Sequence, residues 1–150
     1  MSILGRYFQG MTGYIDHCAP DAARLIASWL NHMKSERRAA RLSLEAYTRD
    51  MGQFCAFLVV HCAEPVSSSI LANLTASDFR AFMARRRSEG TSSRSLARHL
   101  SAIRGLFLYA ERNGHLTNAA LSTVRSPKLP HAVPKPLTAG AARATVTASS

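Results

Sequence analysis

Acidic residues and cysteines are scarce in this sequence of 150 residues. Its 9 Asp and Glu face 19 Lys and Arg, which gives a formal net charge of +10. The acids are spread singly, so no carboxylate pair suited to general acid and base chemistry is evident. The three cysteines form no CxxC pair, which argues against a disulfide framework or a zinc knuckle and favours a reducing, cytoplasmic setting.

Long apolar runs and known catalytic motifs are also missing. No run approaches the roughly 20 apolar residues that span a bilayer, and the N-terminus has no signal-peptide pattern. There is no phosphate-binding loop, nucleophile elbow or HExxH pair, and the six histidines are scattered. We therefore expect no cofactor, no metal, no small-molecule substrate, no membrane association and no catalytic residue, with His99 and His115 at the surface or capping helices.

Apolar residues recur every three or four positions, which predicts an all-α fold, a compact bundle of four to five helices. The predicted helices are Asp21 to about Arg38, Ser43 to Cys62, Thr75 to about Gly90, and Ser93 to about Arg112. Ser43 and either Ser92 or Ser93 are predicted N-caps, and Thr75 with Asp78 resembles a capping box. Ile70, Leu71 and Leu74 are predicted to pack as a short turn. Trp29, Cys55 and Cys62 are predicted core residues.

Changes in composition divide the chain into three parts. Residues 1–20 show no clear periodicity and are predicted to be an N-terminal tail, and residues 21–125 form the predicted helical domain. Residues 126–150 contain four prolines between positions 127 and 136, which forbid a regular helix there and favour an extended path. We interpret this last part as a basic interdomain linker and the start of a further domain, predicted to be disordered at its end.

The last predicted helix separates apolar and basic residues onto opposite sides. At about 100° per residue, the sector opposite its Leu and Phe stripe contains Arg94, Arg98, Ser101, Gly105 and Arg112. The DNA major groove admits one such helix, and the small residues Ser101 and Gly105 are expected to allow close approach. An ordinary solvated helix face is the alternative interpretation of the same pattern.

Further cations flank this helix. Arg85, Arg86 and Arg87 form a run that would attract phosphates or interact with a helix C-terminus. The predicted linker carries Lys128, His131 and Lys135, which would follow a nucleic-acid backbone or simply keep a tether soluble. Charge alone does not separate a nucleic acid from an anionic membrane surface as the partner.

Four stretches resemble the tyrosine recombinases, the phage integrase family, and most of all their bacterial Xer branch. These are LSLEAYTRDMGQFCAFL from Leu42, LTASDFRAFMARRRSEG from Leu74, SRSLARHLSAIRGLFLYAERNGHL from Ser93 and NAALSTVRSPKLPHAVPKPLT from Asn118. The order of these parts is more specific than any one of them.

The resemblance implies a SAM-like core-binding domain that contacts a double-stranded DNA recombination site. By position it implies contacts from Arg49 and Gln53 on the second helix and from Arg94, Arg98 and Arg104 on the fourth. The family's catalytic Arg, Lys, His and Tyr residues belong to a second domain, and none maps onto this sequence. The expected partner is a second Xer-type recombinase subunit. A phage, integron or transposon integrase, or a non-catalytic basic helical adaptor, is the alternative.

Overall fold

A computed structural model describes residues 13–129, and within that range it contains five α-helices and no β-strand. The helices are α1 (Pro20–Ser35), α2 (Arg41–His61), α3 (Ser68–Asn73), α4 (Ala76–Ser88) and α5 (Ser93–Arg112). Two 3-10 helices, Ile15–His17 and Ala119–Thr123, precede and follow them. The predicted all-α fold is confirmed, and the predicted short turn at Ile70 is part of helix α3.

The core lies where α1, α2 and α5 pack against one another, with α4 packed on α5. Trp29 is buried, as predicted, and so is the predicted α5 stripe of Leu96, Leu100, Ile103 and Phe107. Phe54 of α2 lies 5.1 Å from Phe82 and 6.2 Å from Phe79 of α4, measured between ring centroids. Such aromatic contacts add to the hydrophobic burial that holds the helices together.

Helices α4 and α5 begin at the N-caps that the sequence predicts. The Thr75 hydroxyl accepts a hydrogen bond from the Asp78 amide at 3.2 Å, and the Asp78 carboxylate accepts one from the Thr75 amide at 2.7 Å. The Ser92 hydroxyl accepts a hydrogen bond from the Ser95 amide at 3.1 Å. Gly90, at a φ of +93°, ends α4 in the left-handed conformation that glycine adopts without strain.

The prediction that Ser43 caps the second helix is wrong. The Leu44 amide donates to the Ala40 carbonyl at 3.0 Å, so the helix already begins at Arg41, and its N-cap Ala40 has no side chain that could cap it. The predicted end of the first helix, at about Arg38, is also too late. Helix α1 ends at Ser35, and Arg38 has a φ of +52°, which a right-handed α-helix does not contain.

The segment before α1 also packs on the core and forms backbone hydrogen bonds with it. Tyr14 is buried, the Ala19 amide donates to the Val66 carbonyl at 2.7 Å, and the Val66 amide donates to the His17 carbonyl at 2.8 Å. Residues 14–19, which the sequence assigns to a tail, therefore pack on the domain, because one aromatic ring and backbone pairing carry no periodic signal. Residues 1–12 of the predicted tail and residues 130–150 of the predicted linker lie outside the described residues.

After α5, Asn118 attaches the second 3-10 helix to α3. Its side-chain amide donates hydrogen bonds to the carbonyls of Leu71 and Leu74, each at 2.9 Å, and its oxygen accepts one from the Ala120 amide. Leu121 and Val124 then enter the core. This helix was not predicted from the sequence, because five residues are too few to show a helical period.

Candidate nucleic-acid interface

An ion pair joins α2 to the N-terminal half of α5. The Arg98 Nε donates to Asp50 Oδ2 and its Nη2 donates to Asp50 Oδ1, both at 2.9 Å. The Asp50 side chain is 1% exposed, whereas the Arg98 side chain is 40% exposed. Hydrogen bonding to this carboxylate raises the pKa of Arg98 above its usual value, so the guanidinium stays charged. Arg98 therefore lies at the surface, and the Nε and Nη2 edge of its guanidinium is bound by the buried Asp50 carboxylate.

Arg94 and Ser101 lie on the same side of α5 as Arg98. Both residues are exposed, one helical turn before and one turn after Arg98. Residues at these spacings are neighbours along a helix face. The structure thus brings together Arg94, Arg98 and Ser101, three of the predicted contact residues, as a surface that we call the α5 face.

Arg49 and Gln53 on α2 lie around a shallow surface groove that also includes His17. Arg49 is exposed, but the Gln53 Oε1 accepts a hydrogen bond from Arg86 Nη2 of α4 at 3.0 Å. Arg86 also donates to Glu89 at 2.9 Å. Gln53 therefore connects α2 to α4, and only Arg49 of this predicted pair is free of such a contact among the described residues.

Arg104 has a different environment from Arg98. Its Nη1 donates to the Ser126 hydroxyl at 2.9 Å, and its Nη2 donates to the Val124 carbonyl. Six residues along a helix correspond to a rotation of about 240°, so Arg104 and Arg98 do not share a face. Arg104 holds the segment after the second 3-10 helix, where Lys128 is exposed. His131 and Lys135 lie outside the described residues.

One residue of the predicted basic sector, Gly105, faces another helix. A Cβ atom at Gly105 would lie 3.4 Å from Cζ2 of Trp29, so Gly105 accommodates the α1 indole and does not clear space for a duplex. The expectation for Gly105 was therefore wrong, whereas Arg112, at the end of the sector, is exposed. A groove of about 240 Å³ lies between α1, α2 and α5, and it is bordered by Tyr47, Ser101 and Arg112.

A second group of cations surrounds a groove between α4 and the segment after the second 3-10 helix. Arg80 and Arg87 of α4 border this groove together with Arg125. Within the predicted Arg85 to Arg87 run, Arg85 and Arg86 are paired with Glu89, at 3.1 and 2.9 Å. Arg80 and Arg87 form no ion pair among the described residues and are available to an external anion, although Arg87 Nη1 donates to the Ser93 hydroxyl at 3.4 Å. Arg80 was not singled out from the sequence.

The two polar residues that are buried in the described part of the chain were not predicted to be buried. Asp50 and His99 are each 1% exposed, and His99 Nδ1 lies 3.3 Å from Asp50 Oδ1. Burial lowers the pKa of His99, more than the nearby Asp50 carboxylate raises it, so the imidazole is neutral at pH 7. The prediction that His99 lies at the surface is wrong. Asp50 could have been found, because it follows Tyr47 and precedes Phe54 on the apolar face of α2.

The described residues offer no cluster of three or more His, Cys, Asp or Glu side chains that could hold a metal ion. Between residues 13 and 129, no helix has both the length and the apolar content needed to cross a bilayer. The cationic surfaces described above suit an anionic ligand.

Comparison with known proteins identifies a matching family. The family described as "Phage integrase, N-terminal SAM-like domain" matches residues 26–114, which include most of α1 and all of α2 to α5. No solved structure gives a significant match to the chain.

Several curated relatives carry the name tyrosine recombinase XerC. The protein from Methylobacterium nodulans is 47% identical over 124 residues, which cover 83% of this chain and 38% of the relative. Those from Mesorhizobium japonicum and Brucella suis are 39% and 41% identical and cover 91% and 85% of this chain. The chain spans about two fifths of the length of these relatives, 38%, 44% and 41% respectively.

Proposed function

Because this chain belongs to the phage integrase N-terminal SAM-like domain family, we propose that it is the DNA-binding domain of a XerC-like site-specific tyrosine recombinase. It binds a double-stranded recombination site in a sequence-specific manner. The observation that carries the proposal is the α5 face, on which Arg94 and Ser101 are exposed and the Arg98 side chain is 40% exposed, while the opposite side of the same helix is packed in the core.

Helix α5 is the element proposed to enter the major groove. The groove accepts a single helix, and its base edges present acceptors that arginine recognises. Arg94 and Arg98 are proposed to contact base edges or flanking phosphates, and Ser101 allows close approach. The full set of proposed DNA contacts is Arg49, Gln53, Arg94, Arg98, Ser101, Arg104, Lys128, His131 and Lys135.

Within this set, Gln53 and Arg104 require a rearrangement. Gln53 would have to share its side chain with Arg86, and Arg104 would have to release Val124 and Ser126. We therefore expect the α5 face and Arg49 to contribute more to affinity than these two residues. The net charge of +10 supplies the sequence-independent attraction to the phosphate backbone.

The recombination reaction itself is proposed for a whole protein that contains this domain. In that protein the domain would form half of a clamp around DNA, and a XerD-like subunit would complete the assembly that resolves chromosome dimers. No residue of this chain is proposed as catalytic, and no cofactor is proposed. A cytoplasmic location follows from a chromosomal substrate.

A phage, integron or transposon integrase is the second candidate, because the matching family is described as a phage integrase domain. The two candidates differ in the DNA sequence that they recognise. Selection of bound duplexes from a random-sequence library decides between them: a Xer-type domain enriches a chromosomal dimer-resolution half-site, whereas an integrase enriches an attachment or cassette site.

An electrophoretic mobility shift titration tests DNA binding directly. The selected duplex should bind more tightly than its scrambled counterpart. If about six phosphates are neutralised, affinity should fall roughly a thousandfold between 50 and 200 mM salt. Equal affinity for both duplexes would contradict sequence-specific binding, and sedimentation with anionic vesicles without any duplex binding would favour a membrane adaptor.

Two variants, each measured by DNA titration and by thermal melt, separate binding from folding. Arg98→Ala should weaken specific binding by about 1 to 3 kcal/mol if the contact is to a base edge. Because it also leaves the buried Asp50 carboxylate without its partner, it should lower stability, so its affinity is measured at a temperature at which the melt shows the variant folded. Arg24→Ala, which removes an exposed charge from α1, is the matched control and should change affinity far less. Leu100→Ala should instead cost about 2 to 5 kcal/mol of folding stability, because Leu100 is fully buried.

A further inference from the structure

Asp50 is the one carboxylate that is buried in the described part of the chain, and its ion-pair partner is the central residue of the α5 face. Removing a carboxylate from water is costly unless charges and hydrogen bonds compensate for it. Arg98 of α5, 48 positions away in the sequence, donates a hydrogen bond to each of the two carboxylate oxygens. Replacement of a buried ion pair by hydrophobic residues is often neutral or stabilising, so stability alone gives little reason for a charge here.

The geometry of the pair leaves part of the guanidinium unoccupied. An arginine side chain has five N–H donors in a planar fork. Asp50 takes the Nε donor and one donor of Nη2, and the remaining donors are the two of Nη1 and the second of Nη2. Because the side chain is 40% exposed and the carboxylate is buried beneath it, these donors are available on the solvent side.

The ion pair with Asp50 limits how much Arg98 can contribute to the neutralisation of DNA phosphates. A free arginine contributes to DNA binding mainly by neutralising a phosphate and releasing counterions. An arginine whose charge is already balanced by a buried carboxylate contributes little to that effect, but it keeps its directional hydrogen bonds. A guanidinium that is already oriented by Asp50 also loses less side-chain freedom when it binds DNA.

We propose that Asp50 is a positioning residue that holds Arg98 in the orientation needed to read a guanine in the major groove. Guanine presents O6 and N7 as two adjacent acceptors, which match two parallel N–H donors of arginine. Arg94 and Ser101, one turn to either side, lie next to the flanking phosphates or bases. This inference rests on the proposed DNA-binding function and adds to it the residue that determines specificity and the base that it reads.

The Asp50→Asn variant distinguishes positioning from simple electrostatics. It removes a negative charge, so electrostatics alone predicts tighter binding to every duplex. Positioning predicts the opposite for the selected duplex, about a tenfold to hundredfold loss of affinity, with binding to the scrambled duplex unchanged or improved. Specific affinity that stays equal to wild type or rises would overturn the proposal.

Arg98→Lys provides a second test that keeps the fold intact, because lysine retains the positive charge opposite Asp50. Lysine has no planar fork, and its single ammonium is already paired with Asp50, so discrimination between the selected and scrambled duplexes should fall by a similar factor. The dependence of affinity on salt should remain that of wild type. Wild-type discrimination by Arg98→Lys would overturn the proposal even if Asp50→Asn does not fold.

A modified duplex and a double variant complete the experiment. Replacing guanines of the selected duplex one at a time by 7-deazaguanine removes N7, and one position should weaken wild-type binding but not Arg98→Lys binding. In an Arg98→Ala background, Asp50→Asn should have no further effect on discrimination, whereas an additional loss would show that Asp50 acts independently of Arg98. If the wild-type domain binds no duplex specifically, the proposed function itself has failed; if it does and the variants match it, only this inference has.

Discussion

Gly105 of α5 lies against the indole of Trp29 on α1: a Cβ atom at this glycine would be 3.4 Å from Cζ2 and 3.5 Å from Nε1. These are contact distances that an alanine can occupy, and alanine is favoured over glycine inside a helix by up to about 1 kcal/mol. Gly105→Ala should therefore raise the free energy of unfolding in a urea titration. Affinity for DNA should not change, because this glycine faces the protein.

Gly114→Ala is the matched control. It places the same methyl group in open space, with no heavy atom within 4 Å, but at a φ of +74°. An L-residue in this conformation is strained by about 1 to 2 kcal/mol, so the same substitution should lower stability. Equal effects of the two substitutions would contradict the assignment of Gly105 to a helix and Gly114 to a left-handed turn.

Asn118→Ala tests the attachment of the second 3-10 helix. It removes the two hydrogen bonds to the carbonyls of Leu71 and Leu74 and should cost about 1 to 3 kcal/mol of stability. Hydrogen exchange should show the largest loss of protection between residues 119 and 124. Asn31→Ala, at an exposed position on α1, should leave both measurements near wild type.

The buried His99 predicts a dependence of stability on pH. Its folded pKa is lowered, first by burial and further by Arg86 of α4 and Arg98 of α5, while Asp50 of α2 acts in the opposite direction. The unfolded chain therefore takes up a proton on His99 more readily than the folded chain. Stability should be fully present above the unfolded pKa of about 6.5 and should decrease as the pH falls below it.

Urea titrations at a series of pH values between 7.5 and 5, in steps of about half a unit, would measure this slope. His99→Gln should flatten it, whatever it does to stability at pH 7. His115→Gln, which changes an exposed histidine, should keep the wild-type slope. An unchanged slope in His99→Gln would assign the pH dependence to other groups.

Two cysteine sulfurs meet between the first 3-10 helix and α2. The Sγ atoms of Cys18 and Cys55 are 3.6 Å apart, and hydrogen bonding to Cys55 lowers the pKa of the Cys18 thiol. A diazene dicarboxamide oxidant should convert this pair to a disulfide, taking up both hydrogens as the hydrazine. Peptide mapping should then show Cys18 joined to Cys55 with Cys62 free. Cys18→Ser should abolish the cross-link, and a Cys55 to Cys62 product would contradict the observed arrangement.

The sequence by itself determined the helical fold and most of its core. The apolar period of α5 and the caps at Thr75 and Ser92 depend on neighbouring residues only, and each of these was predicted correctly. The exposed positions of Arg94 and Ser101 were also predicted correctly, and the charge excess follows directly from the composition. Local patterns suffice here, because a helix and its cap are formed by residues within a few positions of one another.

Only the tertiary structure decided which cations remain available and which are occupied. Asp50 meets Arg98 across 48 positions of sequence, Gln53 meets Arg86 across 33, and Arg104 meets Val124 across 20. Trp29 of α1 lies against Gly105 of the predicted basic sector for the same reason. Ion pairs and close contacts between distant segments exist only once helices have packed, so no spacing along a single helix reveals them.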